Sequence, residues 1–139
     1  QVILAGMLKF KETINKDNGK RKGVPAEISI YMSDQGLISQ EDYWGLSDEN
    51  YVKCEEYYDY VLDEIIYAFD ESNEPDIDDY DFSYNRITGE PDENGLRPFE
   101  LDCTNNEEKE RYNSDMKEYR ERCADGRELF SKYYNTLWW

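Results

Sequence analysis

Four carboxylates, Glu56, Asp59, Asp63 and Asp70, recur at intervals of three, four and seven residues, which places them near one side of a helix. Such a row could hold a hard cation or pair two acids for proton transfer. The chain has no His, so the Glu-x-x-His ligands of a carboxylate di-metal centre are absent, and a solvated helix face is the expected role. The run Asp76-Ile77-Asp78-Asp79-Tyr80-Asp81 superficially resembles a calcium loop. Counted from Asp76, however, the places that hold Gly and Glu in an EF-hand hold Asp81 and Ile87. Arg120, Arg122, Arg127 and Lys132 could form a basic stripe toward an acidic neighbour or a ligand, with ion pairs inside the protein the expected use. Neither Gly89 nor Gly95 is followed by the Lys and Ser or Thr of a phosphate-binding loop, and a Ser-His-Asp triad cannot be assembled without His. The residues predict no catalytic group, no cofactor and no metal, and so a protein that is not an enzyme.

Three amphipathic patterns must position these side chains. Ile3, Met7, Phe10 and Ile14 share one face of a helix over about residues 1–17, which Asn18-Gly19 ends before the basic patch Lys20, Arg21 and Lys22. The segment from Gly23 to Leu46 carries Pro25, Gly36 and Gly45 without sustained periodicity and reads as an ordered loop with a short strand at Ile28 to Met32. Ser47, followed by Asp48 and Glu49, is an N-cap with acids at the positive end of the helix dipole. The second helix, about 48–71, has the stripe Tyr51, Cys54, Tyr58, Val61, Ile65 and Ala68, widened by Leu62, Ile66 and Phe69 into a core face. From Ser72 to Asp102 the chain is acidic and turn-rich, with a short hairpin indicated around Phe82 to Arg86 and Pro98 to Leu101. Thr104-Asn105-Asn106-Glu107 has the form of a capping box, opening a third helix over about 105–137. Along it Tyr112, Met116, Tyr119, Cys123, Gly126, Phe130, Tyr133 and Leu137 form a heptad seam. Gly126 costs about 1 kcal/mol against Ala in a helix interior, so its place in the seam predicts the close approach of a neighbouring helix or large ring.

The expected fold is therefore mainly α: a three-helix antiparallel bundle with long acidic, irregular connections and at most one short β-hairpin, forming one domain over 1–139. With 33 Asp and Glu against 16 Lys and Arg, the formal charge is -17. Aromatic residues make up 15% of the chain, enough to build a core, so the carboxylates coat a folded body. That surface repels phosphate backbones and anionic lipid, which argues against direct nucleic-acid or membrane binding and points to basic proteins as partners. High net charge also keeps a small protein soluble. Cys54, Cys103 and Cys123 are odd in number and widely spaced, which fits a reducing compartment better than a disulfide or zinc framework. No apolar run approaches the roughly 20 residues of a membrane span.

Three segments, QVILAGMLKFKE (Gln1 to Glu12), DYVLDEIIYAFD (Asp59 to Asp70) and RERCADGRELFSKYYNTLWW (Arg120 to Trp139), together resemble a family of small acidic helical proteins of large tailed bacteriophages, marine ones included. Leu62, Asp63, Glu64, Ile65, Ala68 and Phe69 match its core-helix pattern L-D-E-x-I-x-A-F. Arg122, Gly126, Leu129, Phe130, Lys132, Tyr133, Tyr134, Leu137 and Trp138 match its closing helix. The carboxy-terminal string is the more specific. Family members begin with a polar and aromatic segment containing a His that is not found here, so residues before Gln1 are expected to be missing. The resemblance implies phage origin and a helical fold, with the host cytoplasm during infection or the virion as location; it implies no activity.

Three functions follow as expectations. One is a non-enzymatic protein that binds a basic host or defence protein, imitating the charge of a nucleic-acid backbone, through Asp76, Asp78, Asp79, Asp81, Glu56, Asp59, Asp63, Trp138 and Trp139. The second is a virion structural or assembly component that homo-oligomerises, or attaches to a phage structural protein, through heptad seams and terminal aromatics. A carboxylate metal-binding protein using Glu56, Asp59 and Asp63 is the third alternative.

Overall fold

The computed structural model describes residues 2–15, 23–39 and 46–136. Asn18-Gly19, the basic patch Lys20, Arg21 and Lys22, Gly45, and Leu137, Trp138 and Trp139 lie outside the described residues. The protein is mainly helical with a small antiparallel two-stranded sheet. The elements run α1 (Val2–Asn15), α2 (Ala26–Asp34), α3 (Asp48–Phe69), β1 (Tyr84–Thr88), β2 (Phe99–Cys103) and α4 (Asn106–Tyr133), with 3-10 turns at Glu71–Asn73 and Ile77–Asp79. They form two compact units. The first comprises Gln1–Asn73 and Glu121–Trp139, the second Glu74–Arg120.

In the first unit α1 and α2 pack on α3. The stripe on α3 is its core face: Cys54, Tyr58, Val61, Leu62, Ile65 and Ala68 are all buried, and fully burying one aliphatic chain contributes about 1.5–3 kcal/mol. Met7 and Ile14 of α1, Ile28 and Met32 of α2, Ile38 and Tyr133 join Cys54, Tyr58, Val61, Leu62 and Ile65 in one cluster, while Ile3 stays partly exposed at 38%. Ser47 caps α3 as expected, its hydroxyl accepting from Asn50 N–H at 3.3 Å.

Helix α2 corrects the expectation of a loop with a strand at Ile28 to Met32. Ile28 and Met32, one turn apart, are buried, and Ile30 between them is exposed, a helical and not an alternating pattern. Pro25 precedes the helix and accepts from Ile28 N–H through its carbonyl. Gly36, at φ +68°, ends it: Gly36 N–H donates to Ser33 C=O and Leu37 N–H to Met32 C=O, the pairing of a Schellman cap, in which a left-handed residue is needed and Gly supplies it without strain. Pro before and Gly after was a readable helix signature that β-branched Ile28 and Ile30 obscured.

In the second unit β1 and β2 pair antiparallel with Tyr84 opposite Cys103 and Thr88 opposite Phe99, the indicated hairpin shifted by about two residues. Asp92 orders its tip, accepting from Asn94 and Leu96 N–H. Thr104 does not cap α4. Its Oγ1 accepts from Ser83 N–H at 2.8 Å and closes the hairpin, and Asn105 takes the cap position, accepting from Glu108 N–H. Asn serves as well as Thr there, so the capping box slides by one residue.

Candidate functional site

Two motifs that are separate in sequence meet in the first unit. Glu64 on α3, only 9% exposed, receives both Nε (2.8 Å) and Nη2 (2.7 Å) of Arg122 on α4, a bidentate fork that fixes direction as well as charge. The Arg122 guanidinium also lies 3.7 Å from the centre of the Tyr67 ring. The hydrogen bonds to Glu64 hold its proton more tightly than in a free guanidinium. One turn on, a Cβ added to Gly126 would stand 2.3 Å from Glu64 O and 2.6 Å from Ala68 Cβ, so the seam glycine admits the backbone of α3. Phe69 meets Phe130 edge-on at 5.2 Å, and Phe130 meets Tyr134 in the same way at 5.3 Å. Glu64, Ala68 and Phe69 of α3 thus pack against Arg122, Gly126 and Phe130 of α4 along one seam.

Of the other bases in the expected basic stripe, Arg120 and Arg127 are exposed, and Lys132 is held against aromatic rings. Lys132 Nζ sits 3.9 Å from the Tyr31 ring centre, and Tyr31 stacks on Tyr57 at 5.0 Å. Burial, and then the neighbouring Tyr133 and Tyr31 hydroxyls, push the Tyr57 phenol well above its usual range. Burial likewise raises the Cys54 thiol. All three cysteines are free, with Cys54 and Cys123 buried and Cys103 half-buried. An open groove of about 510 Å3 runs beside Phe10, Ile14, Val24, Pro25 and Tyr58, with Glu27 the one charged residue of its lining among the described residues.

The α3 carboxylates do not act as a set. Glu56 is exposed and Asp59 half-buried. Asp63 pairs with Lys11 of α1. Asp70 ends the helix and accepts from the Ser72 hydroxyl (2.7 Å) and N–H (3.0 Å), which hold its carboxyl below the usual carboxylate range. Among the described residues no three Cys, Asp or Glu side chains converge on a point that could hold a metal ion.

The second unit is different. Fifteen Asp and Glu against six Lys and Arg give Glu74–Arg120 a formal charge of -9, more than half of the chain's -17 in about a third of its residues. Thirteen of the fifteen acids are exposed. The half-buried two have partners: Asp115 accepts from Tyr80 Oη at 2.7 Å, and Glu108 accepts from Asp81 N–H and pairs with Arg111. Asp76 accepts from Asp78 N–H at the start of its 3-10 turn, which leaves Asp78, Asp79 and Asp81 as exposed side chains. Arg111 stands 4.7 Å from the Tyr80 ring centre and Lys109 5.6 Å from that of Tyr84. Trp138 and Trp139, expected as partner contacts, lie outside the described residues.

The chain is thus a mainly α protein with a small hairpin and a concentrated acidic surface. No protein family, curated protein or solved structure matches it. Among the described residues no helix is long and apolar enough to cross a membrane.

Proposed function

We propose that this chain is a non-enzymatic phage protein that binds a basic host or defence protein, its carboxylates standing in for a nucleic-acid backbone. The observation that carries the reading is the exposure of thirteen acids in Glu74–Arg120, a charge density about twice that of the rest. Asp78, Asp79 and Asp81 lead the contact, with Asp76 holding their turn. Glu56, Asp59 and Asp63 contribute less, because Lys11 already engages Asp63 and Asp59 is half-buried. The three-helix antiparallel bundle belongs to this proposal as the scaffold, and the host cytoplasm during infection as the location.

Assembly through the heptad seam is the weaker reading. Met116, Cys123, Gly126 and Tyr133 are buried within the chain itself and offer nothing to a second copy. Capture from host lysate at low and at raised salt, read by mass spectrometry, tests the proposal. One basic nucleic-acid-binding protein should be retained at low salt and lost as salt rises. Retention independent of salt, or capture of phage structural proteins alone, would sink it.

A further inference from the structure

We infer that the outer edge of β2 is a docking edge for an extended segment of the basic partner in which Lys or Arg alternate with apolar residues. The inference rests on the proposed binding of a basic protein and assigns its surface. Gly89 N–H donates to Pro98 C=O (2.8 Å) and Thr104 N–H to Ser83 C=O (2.9 Å). Bridged and unbridged pairs alternate in an antiparallel ladder, so Asn85 with Asp102 and Ile87 with Glu100 are the bridged pairs. The N–H and C=O of Phe99, Leu101 and Cys103 therefore point away from β1. Leu101 is 59% exposed, and neither of its peptide groups has a hydrogen-bond partner among the described residues.

Side chains alternate across this edge. Glu100 and Asp102 project to one face, exposed and without an ion-pair partner among the described residues, while Leu101 projects to the other. A two-stranded ribbon is marginal by itself and gains from a third strand. A second copy of β2 laid antiparallel on this edge would oppose carboxylate with carboxylate, which repels. A strand with a cation, an apolar residue and a cation satisfies both faces at once, and its main chain supplies the missing hydrogen bonds.

The test uses the full chain and three probes read by fluorescence anisotropy: a peptide of alternating Lys and Val, a peptide of the same composition with its Lys and Val in separate blocks, and poly-L-lysine. The alternating peptide should bind about tenfold more tightly than the blocked one. Leu101→Pro removes an outward N–H without touching a ladder bond, so it should erase that preference and leave poly-L-lysine binding unchanged. Glu100→Lys with Asp102→Lys, which leaves the backbone intact, should weaken the alternating peptide by about tenfold or more. Equal affinity for the two peptides overturns the edge while sparing the acidic-surface reading. Failure of all three probes to bind overturns that reading and the edge with it. A dimer in sedimentation that Leu101→Pro abolishes would assign the edge to a second copy and overturn the inference.

Discussion

The two units of this chain are held by different forces. Gln1–Asn73 with Glu121–Trp139 contains every buried apolar side chain among the described residues except Met116. Glu74–Arg120 is instead held by ring edges, cations near rings and side chains bonded to backbone: Tyr80 and Phe82 against Tyr112, Arg111 by Tyr80, Thr104 to Ser83. Apolar burial is not weakened by ionic screening, whereas exposed ionic contacts are. The first unit is thus suited to be a scaffold, and the second, with little burial and much charge, belongs at the low end of local stability, where binding surfaces are commonly found.

The largest expected effect falls on the scaffold. Gly126→Ala would gain about 1 kcal/mol of helix propensity anywhere exposed, but here the new methyl meets the α3 backbone. Denaturant unfolding should show a net loss of about 1–3 kcal/mol. Tyr112→Ala removes two ring contacts of the second unit and should cost about 1–2 kcal/mol there. Hydrogen exchange should then quicken at Tyr84–Thr88 and Phe99–Cys103 and stay unchanged along Asp48–Phe69. Equal acceleration in both would erase the distinction between the units. The smallest effect is on titration. The hydrogen bond to Asp115 pushes the Tyr80 phenol up to about 12 from 10.0. A raised folded value gives a contribution that is complete below pH 10 and is lost as pH rises through about 12. In the ultraviolet, phenolate absorbance should therefore show a late-titrating tyrosine that Asp115→Asn returns toward the ordinary range.

Much of the scaffold was legible in the residues, because periodicity reports directly on which face is buried. The α3 stripe, the α4 seam and the Ser47 cap lie where spacing and side-chain chemistry put them, and Gly126 announced a close approach by being costly where it stands. Helix α2 was obscured because nine residues hold only two buried positions, and Ile28 and Ile30 suggest a strand by type. The Glu64–Arg122 fork could not be found by looking along either helix, since partners across a seam depend on how the helices dock; Arg122 stood in the expected basic stripe, but Glu64 was hidden among many acids. Thr104 and Asn105 are equally good caps, and only the hairpin's need for Thr104 decides between them. The acidic surface was legible as composition, while the strand edge emerged only with the register.

The central claim is that position, and not net charge alone, makes the second unit the recognition surface. Two variants of equal charge test it: Asp78→Asn, Asp79→Asn and Asp81→Asn together, against Glu56→Gln, Asp59→Asn and Asp63→Asn together. Affinity for immobilised poly-L-lysine is measured for both and for the parent chain across a salt series. Binding of the parent chain should fall steeply with salt, and the Asp78, Asp79 and Asp81 variant should show the clearly larger loss at low salt. Equal losses from the two variants, or an affinity flat with salt, would contradict it.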